Sequence, residues 1–318
     1  MEKLVVFAYS CIGESHQKNG TVLQDGSDFY EDEKCRIIVV SDGHGSKNFV
    51  RSDRGSKIAC KVAIDATREF IEQIEVNKLK SNFTNRDQIV DQLCKNILSR
   101  WVKEVNDDYQ KDPFTEEEVK NVKEKYRIAY LKGENIEHAY GATLQLAFIT
   151  ANYFLAIRNG DGECVVINSN GEFLTPVPEN EKCEASFTTS LCDENAIEDF
   201  RYFYSGDKIC SVFLGSDGID NSYVTKKDLF TLYRNICRKV AYDGIEKTKS
   251  EIERILPIIT KRGSGDDVSI AGIIDTNILK NTIKILDKKV EQQSETRRTE
   301  KDINDDIDSV TKKIAEVD

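Results

Sequence analysis

One short turn near the N-terminus, Asp42-Gly43-His44-Gly45, carries residues that can do chemistry. Four β-branched residues, 37–40, come directly before it, and such a run is typical of a buried strand. Glycines on both sides of His44 allow a tight turn and close approach of the backbone to a ligand. A carboxylate and an imidazole held at the end of a strand indicate a chemical site, although Asp and Gly are also common where an ordinary strand ends.

The same pattern, an apolar run followed by Asp-Gly, recurs downstream. It is repeated closely at Asp217 and approximately at Asp161, whereas at Asp266 and Asp267 the apolar run follows the carboxylates. Carboxylates in such similar settings are predicted to converge on one place, where they would repel one another unless a cation neutralised them. Mg²⁺ and Mn²⁺ are natural partners of clustered carboxylate and carbonyl oxygens, so the pattern predicts a divalent-metal site.

Six short motifs lie along the chain in this order: Gln24-Asp25, Ser41-Asp42-Gly43-His44-Gly45, Gly141-Ala142-Thr143, Gly160-Asp161-Gly162, Gly215-Ser216-Asp217-Gly218 and Gly265-Asp266-Asp267-Val268-Ser269. Their order resembles that of the PP2C-type (PPM) metal-dependent protein serine/threonine phosphatases, and of their bacterial branch in particular. Each motif alone is weak, but six in the family's order are specific. The resemblance covers nearly the whole chain except its C-terminal segment.

This resemblance implies an enzyme that hydrolyses phosphoserine and phosphothreonine in proteins by in-line attack of a metal-activated water. The cofactors that it implies are two or three Mn²⁺ or Mg²⁺ ions. The expected partners are a phosphorylated protein substrate and, as a candidate, a cognate serine/threonine kinase.

The resemblance also implies roles for individual residues. Asp42 would bridge the metal ions, and the Gly43 carbonyl with Asp25, Asp217 and Asp266 would complete the coordination directly or through waters.

Three further positions are informative. Asp161 is implied to face the metal site at a third, weaker ion, but an Asp in a hairpin turn also needs no function. Asp267 takes the place of a family asparagine. His44 would protonate the leaving serine or threonine oxygen, which an imidazole can do near neutral pH.

The sequence departs from the family pattern at Gly20, where many members carry a phosphate-binding arginine. Phosphate capture is therefore left open. Positive charge could come from Arg51 or Arg54, just beyond the Asp42 turn, or from His16 or Lys18, and each of these also fits an ordinary surface charge.

The positions of the predicted elements favour an α+β fold. Strands are predicted at 4–9, 143–150, 153–158 and 163–168, the last three as an antiparallel meander with short turns. Helical spacing of apolar residues is found at 49–74, 86–105, 226–241 and 247–259. Thr115 and Glu118 form a predicted capping box, and residues 176–199 a long irregular flap beside the site. Strands that alternate with paired amphipathic helices predict an αββα four-layer sandwich of two mainly antiparallel β-sheets flanked by α-helices.

The composition changes to charged residues after Asp275, so we predict a phosphatase domain at 1–275 and a charged helical extension at 276–318. Aliphatic residues at Leu279, Ile283, Leu286 and Val290, and again between 303 and 317, have coiled-coil-like spacing. This fits a helix or helical hairpin folded on its own domain, or a coiled coil that contacts a partner.

Composition excludes several classes of protein. The net charge of -11 over 318 residues argues against a nucleic-acid-binding surface. No apolar segment approaches the length of a membrane span, and the N-terminus runs into a strand rather than a signal peptide, so we expect a cytoplasmic protein. Nine cysteines without Cys-x-x-Cys pairs are expected to be free, buried thiols.

Two other functions compete with an active phosphatase. A PP2C-like binding or sensing module could retain the metal site with weak or no catalysis, as the missing arginine at Gly20 would allow. A phosphodiesterase or another two-metal hydrolase would be expected to use more histidine ligands than three histidines provide.

Overall fold

A computed structural model describes residues 3–74, 79, 83–183 and 187–288. Within these ranges the strands are β1 (Leu4–Cys11), β2 (Gly26–Glu31), β3 (Cys35–Ser41), β4 (Leu144–Thr150), β5 (Phe154–Asn159), β6 (Cys164–Asn168), β7 (Phe173–Leu174), β8 (Arg201–Ser205), β9 (Ile209–Gly215) and β10 (Val268–Asp275). They form two five-stranded sheets with the orders β1-β10-β9-β6-β7 and β2-β3-β4-β5-β8. Every described pair of neighbouring strands is antiparallel.

Among the described residues, four long helices cover the sheets: Ser52–Gln73, Phe83–Lys111, Lys226–Asp243 and Ile245–Arg262. Shorter helices are Glu14–Asn19, Glu116–Val119, Glu124–Leu131, Ile136–Ala139 and Asp217–Asp220, with a 3₁₀ turn at Ala196–Asp199. Residues 276–288 are also helical. Across the described ranges, no helix is both long enough and apolar enough for a transmembrane segment.

In the part of the chain that the structure describes, three buried clusters show how the layers stack. One lies between β2-β3-β4-β5-β8 and the helices Ser52–Gln73 and Phe83–Lys111, a second between the two sheets, and a third between β1-β10-β9-β6-β7 and the helices Lys226–Asp243 and Ile245–Arg262. The predicted αββα sandwich is therefore confirmed.

Strand β3 shows why these residues give this architecture. Ile37 and Val39 belong to the cluster under the helices, whereas Ile38 and Val40 belong to the cluster between the sheets. Because side chains alternate across a strand, a continuous β-branched run can fill both layers at once.

The predicted three-strand meander is wrong in its third strand. Strands β4 and β5 pair as expected, but β6 crosses to the other sheet and pairs with β9, with Cys164 opposite Leu214. Both β5 and β6 are buried on both faces, so their sequences carry no alternation that would tell one sheet from the other. The crossing occurs at the turn that contains Asp161, which places that turn between the two sheets.

Local signals at helix ends were more reliable. The Thr115 hydroxyl accepts a hydrogen bond from the Glu118 backbone at 3.3 Å, and the Glu118 carboxylate accepts one from the Thr115 backbone, which confirms the capping box.

Leu279, Ile283 and Leu286 are buried in the cluster under the helices Lys226–Asp243 and Ile245–Arg262. The division at residue 275 stays a prediction, since Val290 and residues 303–317 lie outside the described ranges.

Candidate metal centre

Strand pairing brings the predicted acidic residues to one edge of the sandwich. Asp25 comes directly before β2 and Asp42 directly after β3, and these positions are adjacent because Gly26 pairs with Ser41. Asp217 follows the end of β9, and Asp266 precedes the start of β10, its antiparallel neighbour. The edge therefore receives carboxylates from both sheets.

The turn after β3 is held by backbone hydrogen bonds to the predicted Gly141-Ala142-Thr143 segment. The Thr143 backbone donates to the Asp42 carbonyl at 2.8 Å, and the Asp42 backbone donates to the Thr143 hydroxyl at 3.0 Å. A side chain at Gly43 would lie 2.6 Å from the carbonyl oxygens of Gln24 and Ser52. Only glycine fits there, so the turn is tight for a packing reason as well as a chemical one.

The carboxyl groups at this edge raise one another's pKa. Burial raises the pKa of Asp42 well above its usual range, and the charges of Asp25, Asp217 and Asp161 add to this effect. Burial also raises the pKa of Asp217, with further contributions from Asp161 and Asp266. Asp42 and Asp217 are close enough for their carboxyl groups to share a proton. The structure thus brings together all five acids predicted as metal ligands.

Asp25 is the clearest sign that a cation belongs here. Its side chain is 2% exposed, and its Oδ2 atom has no hydrogen-bond partner among the described residues. Burial raises the pKa of Asp25 to about 7. The charges of Asp267 and Asp217 also raise this pKa, whereas hydrogen bonds from the Ser269 and Ser216 hydroxyls lower it. A buried carboxylate oxygen without a donor is costly, so a divalent ion that binds this oxygen fits the site.

Asp267 does a different job from its neighbour Asp266. It is 3% exposed, and its two oxygens accept hydrogen bonds from the backbones of Gly13 and Gln24, both at 2.7 Å. Asp267 Oδ1 also lies 2.8 Å from His16 Nδ1. Asp267 therefore ties the loop before Asp25 to the metal edge, a role that the spacing did not reveal.

The site also contains an acidic pair that sequence reasoning missed, Glu163 and Asp220. Burial raises the pKa of Asp220 well above its usual range, and Glu163 is the next contributor. The Lys226 ammonium binds Glu163. Together with Asp161 and Asp217 these residues line a cleft of about 330 Å³. The signal for this pair in the sequence was a second aspartate, Asp220, three residues after Asp217.

His44 stands at the end of an aromatic stack. Its ring centroid lies 4.8 Å from that of Phe49, which stacks at 4.5 Å on His138, and His138 stacks at 4.2 Å on Tyr126. Burial lowers the pKa of His44 to about 4, and His138 adds to the shift. Packing therefore fixes the imidazole one residue beyond Gly43 and keeps it neutral near pH 7 while the site holds no anion.

The structure does not bring Arg51 or Arg54 into the carboxylate cluster. Arg51 is buried and donates to both oxygens of Glu118, at 2.6 and 2.9 Å, and to the Tyr140 hydroxyl at 2.9 Å. Arg54 donates to Asp108 and Asp112. Phosphate binding by these arginines stays a prediction, and their contacts give them a structural role.

The departure at Gly20 also has a structural reason. Gly20 ends the helix Glu14–Asn19 with φ 67°, in the left-handed region. An arginine in this conformation would be strained, so this helix end favours glycine over arginine at position 20. The nearby Lys18 side chain is exposed and pairs with Glu14 at 3.2 Å.

A larger cleft, about 1030 Å³, lies at the other end of the strands. Its lining includes Arg36 in β3 and Asp275 at the end of β10, so it is separate from the carboxylate edge. We assign the chemistry to the carboxylate edge, because the converging acids lie there.

Comparison with known proteins decides the family. The family model described as Protein phosphatase 2C matches residues 12–256. The chain belongs to the protein phosphatase 2C family. It is thus a protein serine/threonine phosphatase by class, and the ions of that class are Mn²⁺ and Mg²⁺.

Two solved structures with TM-scores of 0.51 and 0.50 agree with this family in fold. A bacterial serine phosphatase is similar with 13% identity and a TM-score of 0.51, over 86% of this chain and 98% of that one. The serine/threonine phosphatase Stp1 from Staphylococcus aureus has 14% identity and a TM-score of 0.50, over 85% and 94% of the two chains. The catalytic domain of the phosphatase PstP, in complex with two manganese ions, has 13% identity and a TM-score of 0.47, over 85% and 97%. No curated protein matches this chain significantly.

Proposed function

We propose that this protein phosphatase 2C is catalytically active and hydrolyses phosphoserine and phosphothreonine in proteins. The observation that carries the proposal is the convergence of Asp25, Asp42 and Asp217 with raised pKa values, one of them with an unpartnered buried oxygen. A cognate serine/threonine kinase would supply the phosphorylated substrate.

The residues present can hold divalent ions. Asp42, with the Gly43 carbonyl, Asp25, Asp217 and Asp266, would hold two of them, and Asp161 would face a third. When bound, such ions neutralise phosphoryl charge and activate water for in-line attack.

The rest of the reaction falls to the protein. Asp25, Asp42 and Asp217 would hold the ions at set positions, because each carboxylate lies beside the end of a strand that is paired in a sheet. His44 donates a proton to the leaving serine or threonine oxygen, and Phe49 holds the ring in place. A phosphoryl dianion beside His44 favours the protonated imidazole that this step requires.

The first prediction tests the carboxylates. Asp42→Asn and Asp217→Asn should each lower phosphate release from a phosphoserine peptide by orders of magnitude at saturating Mn²⁺. Each variant should unfold in chelator at the same temperature as wild type or higher, because removal of one acid relieves repulsion. Phosphate release and thermal unfolding measure the two effects separately.

A matched control is Asp207→Asn, an exposed aspartate just before β9, at the other end of that strand from Asp217. It should change neither the rate of phosphate release nor the unfolding temperature. Turnover near the wild-type rate by Asp42→Asn or Asp217→Asn would remove the basis of the proposal.

The second candidate is a binding or sensing module with little turnover. It is supported by two features that leave phosphate capture unassigned: Gly20 stands where many family members carry an arginine, and Arg51 and Arg54 already form ion pairs with acidic side chains. Such a module would bind Mn²⁺ and a phosphopeptide but release no phosphate, whereas an active enzyme releases phosphate and loses this activity when chelator is added.

A further inference from the structure

His16 is held in one orientation by a buried carboxylate. Its Nδ1 atom lies 2.8 Å from Asp267 Oδ1, and the ring is 19% exposed. A carboxylate bound to the backbones of Gly13 and Gln24 acts as an acceptor, so Nδ1 carries the proton. In the neutral form of the ring, this leaves a lone pair on Nε2. A carboxylate that fixes one ring nitrogen is the usual support of a metal-binding histidine.

The free ring nitrogen faces a second carboxylate. His16 Nε2 lies 3.5 Å from Asp266 Oδ1, which is long for a hydrogen bond. Two ligands that bind one ion at about 2.1 Å each, at angles of about 90 to 120°, lie about 3.0 to 3.6 Å apart. The observed distance therefore fits two ligands of one cation.

The segment that carries His16 is fixed to the segment that carries Asp266. The Ser15 backbone donates to the Gly265 carbonyl at 2.9 Å, and the Glu14 backbone donates to the Thr260 hydroxyl at 3.0 Å. A side chain at Gly13 would lie 2.4 Å from the Asp266 carbonyl carbon. The two segments are packed as closely as glycine allows, so the relative position of the two ligand atoms is set by the fold.

A second observation links this pair to a cation. The unpartnered, buried Oδ2 atom of Asp25 belongs to the segment that Asp267 binds, since the backbone of Gln24, the residue before Asp25, donates to Asp267 Oδ2 at 2.7 Å. His16, Asp266 and Asp267 also present ligand atoms that all lie within 4.8 Å of one another.

We propose that His16 Nε2 is a direct ligand of the metal ion held by Asp266, with Asp267 as the residue that positions the ring. The inference rests on the metal-dependent function proposed above. It adds a nitrogen to a ligand set that is otherwise all oxygen. Nitrogen ligands favour Mn²⁺ and later transition metals over Mg²⁺, so His16 would set the metal preference of the site.

The alternative is an ion pair, in which a protonated His16 only joins Asp266 to Asp267. Pulsed EPR of the Mn²⁺-loaded protein separates the two, because a coordinated imidazole couples its ¹⁴N nucleus to the manganese electron spin. The chain has three histidines, which makes the assignment tractable. His16→Asn is the sharpest variant, since its amide nitrogen can keep the bond to Asp267 while nothing replaces Nε2. His138→Gln is the matched control.

We expect the ¹⁴N coupling in wild type and in His138→Gln, and its loss in His16→Asn. Calorimetric titration should show Mn²⁺ binding weakened about tenfold or more in His16→Asn, with a smaller change for Mg²⁺. Thermal unfolding in chelator should show that His16→Asn is folded.

Three outcomes would contradict the inference: no ¹⁴N coupling in wild type with Mn²⁺ bound, coupling that persists in His16→Asn, or equal losses for Mn²⁺ and Mg²⁺. These results differ from a failure of the proposed function. A protein that shows the ¹⁴N coupling of His16 but releases no phosphate would retain this metal ligand and refute catalysis.

Discussion

Adjacent residues of the same type have different roles at this site. Asp266 is half exposed and contributes charge to the metal edge, whereas Asp267 is buried and bonded to backbone groups of the loop before Asp25. In the sequence, both residues are aspartates, and the motif does not distinguish their roles. The difference depends on which oxygen atoms already have donors, and this appears only when distant segments are packed together.

His44 allows a test of chemistry at a single atom. His44→Ala should slow hydrolysis of a phosphoserine peptide by about 10² to 10⁴, because an alkyl leaving oxygen needs a proton. Hydrolysis of an aryl phosphate should fall much less, since its leaving group is stable without one. The two rates are measured on the same preparation with Mn²⁺.

The comparison of substrates separates catalysis from damage to the fold. Misfolding or loss of metal would lower both rates alike. Equal losses on the two substrates would therefore return His44 to a packing role beside Phe49 and leave water as the proton source.

At the scale of elements, Arg51 tests whether an arginine near the site binds phosphate or joins helices. Arg51→Lys keeps the charge but loses the paired hydrogen bonds to Glu118, so we expect a loss of about 2 to 3 kcal/mol in the free energy of unfolding. KM for a phosphopeptide should stay near wild type. Urea unfolding and steady-state kinetics measure the two quantities.

Arg54→Ala is the control for this experiment. Its side chain is 39% exposed, and exposed ion pairs contribute below about 1 kcal/mol, so little stability should be lost. A large rise in KM for Arg51→Lys at unchanged stability would instead support phosphate capture by Arg51.

The elements also show what sequence can predict. The strand directly before Asp42 and the helix after it were predicted because their apolar spacing is local. The bond between Arg51 and Glu118 spans 67 positions, and no local pattern encodes it. Strand β6 was placed in the wrong sheet because a strand buried on both faces carries no signal for its neighbour.

At the scale of the whole molecule, the metal edge exists because two sheets end at the same place. The repeated Asp-Gly pattern was enough to predict that Asp42 and Asp217 converge, although they follow strands of different sheets. The pattern could not predict that Asp267 would bind His16, which lies in the helix Glu14–Asn19, because the two residues are 251 positions apart.

When no metal is bound, the convergence of these carboxyl groups lowers the free energy of unfolding by an amount that depends on pH. Burial raises the pKa of Asp25 to about 7, so between about pH 4 and 7 the folded state binds more protons at this group than the unfolded state. Stability in chelator should therefore fall as pH rises through this window. Asp42 and Asp217 act in the same direction, since burial raises the pKa of both. The lowered pKa values of His44 and His138 act in the opposite direction.

Asp25→Asn isolates the carboxylate contribution from that of the histidines. Relative to wild type, the variant should gain stability as pH rises from 5 to 8 in chelator, because it has no charge to repel Asp267 and Asp217. Urea unfolding at each pH gives the difference directly. Added Mn²⁺ should reverse the order at pH 8, since only wild type keeps all the acids that bind the ion. A difference between the two proteins that does not change with pH would show that Asp25 stays ionised in the folded, metal-free chain.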